Sequence, residues 1–117
     1  MAHKDFGIRF AIEGRRYEAV GFLNEYEPTI PGHEMLKRTD GENCGANNFQ
    51  DLAFIRERFS RLPAVLNQFL LIINNSAMYS GRSTRCFVWQ GDRWGIIVVD
   101  IDDISYGAGY LVLRRLS

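Results

Sequence analysis

The residue types that could catalyse a reaction lie in an irregular stretch near the middle of the chain, where His33 precedes Cys44. A cysteine thiolate beside a histidine base is a nucleophilic pair, provided that the two side chains come within hydrogen-bond reach. The spacing of these residues does not establish such contact, and a plain loop cysteine is the simpler interpretation. We predict no catalytic residue. As an alternative we keep a small-molecule-binding protein or a small hydrolase that uses the loop from His33 to Cys44.

Three carboxylates near the C-terminal end come nearest to a metal site. Asp100 and Asp102 lie on one face of a predicted strand, with Asp103 next to them, so their oxygens could converge on a hard cation such as Mg²⁺. A strand end that leaves the core for solvent produces the same pattern. The zinc-protease motif that begins at His33 is also incomplete, because Lys37 stands where the second histidine belongs. We predict no metal and no cofactor.

Aromatic and arginine side chains favour a binding surface over a reaction. Trp89, Arg93 and Trp94 flank a tight turn, and exposed clusters of this kind are typical of interface hot spots. Because both tryptophans bound apolar strands, the simpler interpretation is that they are core residues, with Arg93 lying over an indole ring. Polar residues around the irregular stretch could line a second pocket. The predicted partner- or ligand-binding residues are His33, Glu34, Arg38, Phe54, Trp89, Arg93 and Trp94.

Composition limits the class of partner. The 117 residues have a formal net charge of zero, and a neutral domain lacks the electrostatic footprint of a sequence-independent nucleic-acid binder. Among the basic residues only Lys4 and Lys37 are lysine, and the others are arginine. Nucleic-acid binding through arginine is therefore kept as a further alternative, disfavoured by the zero net charge. The length predicts a single compact domain over residues 1–117.

The cellular compartment is predicted from the N-terminal residues, the length of the apolar runs and the cysteines. No apolar leader follows Met1, and the longest apolar runs are far short of the roughly 20 residues that span a bilayer. Two cysteines, Cys44 and Cys86, do not make a disulfide framework. We expect a cytoplasmic protein with reduced thiols and no membrane segment.

The elements that must position these residues are mostly strands. Alternating apolar residues predict a strand over residues 6–12, and a turn at Gly14 returns the chain as the second strand of a hairpin. Residues 64–75 fit either a helix or a short turn followed by a strand. We favour the strand, because the run from Phe69 to Ile73 is unbroken and apolar. A hairpin around Gly91-Asp92 and a last strand complete a four-strand meander.

Two helices are expected. A short one fits within residues 32–39, and a longer one over residues 48–61 begins at Asn48, a good N-cap. Its apolar face carries Leu52 and Ile55, whereas Phe54 lies off that face and either reaches a neighbouring loop or is exposed for contact. The predicted fold is α+β, mainly an antiparallel sheet formed by an N-terminal hairpin and the C-terminal meander, with one longer and one short helix.

The run from Trp94 to Ile101 is apolar on both faces of its strand. We therefore predict that this strand is internal to the sheet and buried on both faces. The longer helix can cover one face of the sheet, and the N-terminal hairpin or a second copy of the protein must cover the other. Because only one convincing amphipathic helix is available to cover the sheet and the net charge is zero, we predict a homodimer.

Several motifs resemble those of a group of small bacterial proteins. They are Pro31-Gly32-x-x-Met35-Leu36-x-Arg38, Leu62-Pro63, Trp89-x-Gly91-x-Arg93-Trp94 and Leu111-x-Leu113-Arg114-Arg115. In this spacing the chain is similar to uncharacterised proteins of environmental and mobile gene-cassette type, over about residues 30–116. That resemblance implies no known activity. From the residues, the leading hypothesis is a non-enzymatic interaction protein that self-associates.

Overall fold

A computed structural model describes residues 6–39, 49–73, 83–100 and 105–116. The chain forms an α+β fold with mostly strands and few helices, as predicted. Within the described ranges no helix is long and apolar enough to cross a membrane. The elements are β1 (Gly7–Ile12), β2 (Arg15–Val20), β3 (Thr29–Pro31), α1 (Gly32–Thr39), α2 (Phe49–Arg56), two 3-10 turns (Phe59–Arg61 and Ala64–Gln68), β4 (Leu70–Ile73), β5 (Ser83–Trp89), β6 (Trp94–Asp100), β7 (Ser105–Gly107) and β8 (Tyr110–Arg115).

The main sheet has six strands in the order β1-β2-β8-β4-β5-β6. Its neighbours are antiparallel except for β8 and β4, which run parallel. The predicted four-strand meander is therefore wrong. Strand β7 leaves the main sheet to pair with β3 in a separate two-stranded ribbon, and β8 returns to lie between β2 and β4. Leu111, Val112 and Leu113 are fully buried, which explains why β8 occupies the centre of the sheet: an internal strand buries both faces.

The prediction that the strand from Trp94 is internal and buried on both faces is also wrong. Strand β6 lies at an edge of the sheet, with β5 as its neighbour and no described strand on its other side. In the middle of β6, Ile97 is 41% exposed and Val98 is 60% exposed. The apolar run was interpreted correctly as a strand, but apolar residues on both faces do not fix its position in the sheet.

One face of the main sheet is covered by α2 and the two 3-10 turns. Helix α2 contributes Leu52 and Ile55, and the turn region contributes Leu62 and Leu66. These side chains pack against sheet residues that point to the same face, namely Ile12, Tyr17, Ala19, Leu71, Ile73, Phe87, Trp94, Leu111 and Leu113. The cover expected from the longer helix is thus present. Helix α2 ends at Arg56, before the predicted end near residue 61, because the backbone of Arg58 (φ −130°) has left the helical region.

The opposite face is covered by the segment that includes β3, α1 and β7. Its buried residues are Phe22, Leu23, Ile30, Met35 and Tyr106, which pack against Val20, Ile72, Cys86, Val99 and Val112 of the sheet. The N-terminal hairpin extends the sheet at its β1 edge and does not cover this face. A large part of the second face is therefore buried without a second copy, and the shortage of cover no longer argues for a dimer.

The ambiguity over residues 64–75 is resolved in favour of a turn followed by a strand. The 3-10 turn Ala64–Gln68 leads into β4 (Leu70–Ile73), and the helical alternative is wrong. Helix α1 (Gly32–Thr39) lies where the short helix was predicted. The proposed cap at Asn48 falls outside the described residues.

Candidate functional site

The β5–β6 hairpin carries three of the predicted binding residues at its turn. Gly91 adopts a positive φ of +96° that a tight turn requires, and the Gln90 N–H donates a 2.8 Å hydrogen bond to the Arg93 carbonyl. Trp89 and Trp94 are directly opposite each other in the ladder, so their side chains share one face. Their rings meet edge to face with centroids 5.7 Å apart. The structure thus brings Trp89, Arg93 and Trp94 together, as their spacing indicated.

These tryptophans form one side of an open cavity of about 380 Å³. The other side comes from the 3-10 turns, a contribution that sequence reasoning missed. Apolar side chains in the lining are Phe59, Leu62, Ala64, Trp89 and Trp94, and the polar ones are Ser60, Asn67, Asp92 and Arg93. We refer to this feature as the turn cavity. No sequence signal links its two sides, because they meet through the packing of the turns on the sheet.

The two tryptophans differ in burial. Trp94 is 7% exposed and packs in the core against Phe59, with ring centroids 6.4 Å apart. Trp89 is half-buried. Arg93 is exposed, and its Nε lies 3.8 Å from an Asp92 carboxylate oxygen, with the two side chains 78% and 77% exposed. Trp94 is therefore mainly a core residue that shows a small part of its ring to the turn cavity, whereas Trp89 and Arg93 present more surface to it.

The polar residues near α1 form ion pairs and hydrogen bonds with one another. The Arg38 guanidinium donates to both Glu27 carboxylate oxygens at 2.6 and 3.0 Å, and to Glu34 at 2.9 Å. It also donates to the Phe22 carbonyl at 3.1 Å. The hydrogen bonds that Arg38 donates to Glu27 and Glu34 raise the pKa of Arg38 above its ordinary value. Of the predicted residues here, Glu34 and Arg38 hold the segment before β3 against α1, and His33 is exposed on the helix.

Phe54 lies between two arginines. The guanidinium carbons of Arg15 and Arg58 are each 4.0 Å from the centroid of its ring. Arg58 also donates to Glu13 at 3.0 Å. The position of Phe54 off the apolar face of α2 is thus explained by cation–π stacking against the first hairpin and the end of the helix.

Next to this stack a buried carboxylate forms a hydrogen-bond network that the sequence did not predict. Asp51 is fully buried, and one of its oxygens accepts hydrogen bonds from Tyr17 at 2.9 Å, Arg15 at 3.2 Å and Arg115 at 3.4 Å. Burial, together with the Asp51 carboxylate, raises the pKa of Tyr17 to about 12. The sequence placed Asp51 at a helix start, but its partners come from β2 and β8, which no local spacing relates to α2.

The remaining chemical candidates do not assemble a site among the described residues. Cys86 is a free, buried thiol whose pKa is raised to about 12 by burial. Cys44, Asp102 and Asp103 lie outside the described residues. In the part of the chain that the structure describes, no three His, Cys, Asp or Glu side chains are grouped as metal ligands would be.

The outer edge of β6 is the second feature of this hairpin. Because the Gln90 N–H bonds to the Arg93 carbonyl, and antiparallel pairs alternate, residues 93, 95, 97 and 99 bond towards β5. The backbone N–H and C=O groups of Trp94, Ile96 and Val98 therefore face the outer edge, as do those of Asp100, whose carbonyl already accepts a 2.7 Å hydrogen bond from the Tyr106 hydroxyl. Exposed apolar side chains at Ile97 and Val98 lie in the middle of the same strand.

Comparison with known proteins adds no assignment, since the chain matches no family model, no curated protein and no solved structure.

Proposed function

We propose that the protein is a non-enzymatic interaction protein that forms a homodimer through β6. The observation that carries the proposal is the exposure of Ile97 and Val98, at 41% and 60%, in the middle of an edge strand. Natural edge strands are usually protected by lysine, proline, an inward charge or a bulge. Strand β6 has no charged residue or proline before Asp100, and it pairs with β5 from Trp94 to Asp100 without a bulge.

A second copy fits this edge by symmetry. Two copies of β6 related by a two-fold axis through Ile97 would run antiparallel, which gives the self-complementary contact that a two-fold dimer needs. Ile96 of one copy would lie opposite Val98 of the other, and these residues carry the backbone groups that face outward. Ile97 would meet its own equivalent in a non-hydrogen-bonded pair, where side chains approach most closely. In this register Ile96 and Val98 gain backbone hydrogen bonds on both sides of Ile97, while the Asp100 carbonyl keeps its bond to the Tyr106 hydroxyl.

The charges of the chain do not oppose such pairing. The formal net charge is zero, so two copies do not repel each other over long range. The central residues of β6 are uncharged, and like charges would not be placed opposite each other in this register. The contact must bury on the order of 1,000 Å² to be stable, which requires residues flanking β6 to contribute as well.

The alternative of nucleic-acid binding through arginine is weakened because several arginines form ion pairs within the protein. Arg9 and Arg114 both hold Glu18, at 3.1 and 2.6 Å, and Arg38 holds Glu27 at 2.6 Å. Their charge is compensated within the protein, which leaves less to neutralise phosphates. The hydrolase alternative gains no support from the described part of the loop, where His33 is exposed on α1.

Sedimentation velocity of the intact protein tests the proposal. We expect wild type at micromolar concentration to have twice the monomer mass of 13.5 kDa. Val98→Lys places a charge in the middle of the edge and should give a monomer with an unchanged circular dichroism spectrum. The matched control is Val65→Lys, because Val65 is 49% exposed in a 3-10 turn, is not part of the outer edge of β6 and should leave the dimer intact.

Two outcomes would overturn the proposal. One is a wild-type protein that stays at the monomer mass at several hundred micromolar. The other is a Val98→Lys dimer as stable as the wild-type dimer, since a lysine in the middle of the paired strands should weaken the proposed register.

A further inference from the structure

We infer that the turn cavity is a binding site for a small aromatic carboxylate. This inference does not depend on the proposed dimer, because it rests on the lining of the cavity and not on the outer edge of β6. Its volume of about 380 Å³ falls within the range of roughly 300–1,000 Å³ that is usual for ligand sites.

The apolar part of the lining favours an aromatic ring. Phe59, Trp89 and Trp94 contribute ring surface, and Leu62 adds an aliphatic wall. Aromatic rings gain about 0.5–1.5 kcal/mol from offset or edge-to-face contact with each other beyond the area that they bury. The rings already present meet in such geometries: Trp89 and Trp94 are inclined by 66°. A ligand ring inserted beside Trp89 would extend this packing.

The polar part of the lining favours an anionic group on that ring. Arg93 offers a planar guanidinium that matches a carboxylate with two parallel hydrogen bonds. Its contact with Asp92 is long, at 3.8 Å, and both side chains are more than three-quarters exposed, so little is lost when Arg93 turns to a ligand. The hydroxyl of Ser60 and the amide of Asn67 add donors at the rim.

The same lining disfavours a cationic ligand. A cation bound by aromatic residues needs an open ring face, and the Trp94 ring offers little of one, because it is 7% exposed and in contact with both Phe59 and Trp89. The half-buried Trp89 ring is accessible, so the charge of Arg93 is what disfavours a cation there. Asp92 is the one carboxylate in the described lining, and Arg93 next to it would repel an ammonium group. Donors outnumber acceptors around the cavity, which matches an acceptor-rich group such as a carboxylate.

A series of three probes with the same ring tests this assignment: 3-phenylpropanoate, 3-phenylpropanamide and 3-phenylpropylammonium. The chain has two tryptophans, and both line the cavity, so their indole N–H resonances report binding directly by NMR. We expect the carboxylate to shift both resonances and to bind up to about fivefold more tightly than the amide, since an ion pair with an exposed arginine is worth at most about 1 kcal/mol. The ammonium compound should bind more weakly than the amide.

Variants identify the group that holds the carboxylate. Arg93→Gln should lower the affinity for 3-phenylpropanoate to that of the amide while leaving the affinity for the amide itself unchanged. Arg56→Gln is the matched control, because Arg56 is exposed at the end of α2 and does not line the cavity. The inference is overturned if no probe shifts the indole resonances, if the ammonium compound binds most tightly, or if Arg93→Gln leaves the preference for the carboxylate intact.

Discussion

Removal of the buried carboxylate of Asp51 tests how the helix is held on the sheet. Asp51 belongs to α2, and it accepts hydrogen bonds from Arg15 and Tyr17 of β2 and from Arg115 of β8. This one side chain therefore joins three elements that are distant in sequence. We expect Asp51→Ala to destabilise the domain much more than the loss of a surface ion pair.

The magnitude follows from the burial of each partner. Tyr17 is fully buried, so the loss of its hydrogen bond to a charged acceptor costs about 1.5–3 kcal/mol. Arg15 and Arg115 are each 31% exposed, and water can solvate them after the change, so each contributes no more than about 1 kcal/mol. The expected loss is roughly 2–5 kcal/mol, which reaches the range for breaking a buried pair. Asp51→Asn should cost less, because its amide oxygen can still accept from Tyr17.

Urea denaturation followed by circular dichroism measures this loss. At a slope of about 2 kcal/mol per molar urea, the midpoint should fall by roughly 1–2.5 M. Glu13→Ala is the matched control, because Glu13 is 48% exposed and its pair with Arg58 should contribute less than about 1 kcal/mol. If Asp51→Ala costs no more than Glu13→Ala, the buried network does not hold α2 on the sheet.

Two further predictions concern the core and the edge. Val98→Asp should change the free energy of unfolding of the monomer by less than about 1 kcal/mol, because Val98 is 60% exposed. Val112→Asp, at a fully buried position, should unfold the domain. Equal losses of stability in urea denaturation would contradict the edge position of β6. At alkaline pH the stability should fall, because burial raises the pKa of Cys86 from 9.0 to about 12 and that of Tyr17 from 10.0 to about 12, so the unfolded chain loses these protons first. The loss of stability should begin near pH 9, at about 1.4 kcal/mol per pH unit. In Cys86→Ala it should begin near pH 10. If the loss begins at the same pH in this variant as in wild type, its assignment to Cys86 is contradicted.

Local sequence patterns were sufficient to predict several of the strands and hairpins. Alternation predicted β1, turn residues predicted both hairpins, and the unbroken apolar run predicted β4 (Leu70–Ile73). These signals work because they depend on neighbours within a few residues of one another. The turn of the second hairpin also brought Trp89, Arg93 and Trp94 together, so half of the turn cavity could be predicted from sequence.

Sheet order and the other half of the cavity could not be predicted in this way. The pairing of β8 with both β2 and β4 joins segments far apart in the chain, and local spacing carries no information about it. The same holds for Phe59 and Leu62, which reach the tryptophans through the packing of the 3-10 turns. Asp51 was interpreted by its position at a helix start, although its partners lie in other elements.

The error over β6 has a physical cause that bears on the proposed dimer. A strand that is apolar on both faces is typical of the interior of a sheet, and β8 meets this description within the monomer. Strand β6 shows the same pattern but has one described neighbour, so Ile97 and Val98 are left exposed. Pairing of two copies through β6 would give this strand a neighbour on each side. The sequence pattern, which is wrong as a description of the monomer, would describe the strand as it lies in the proposed dimer.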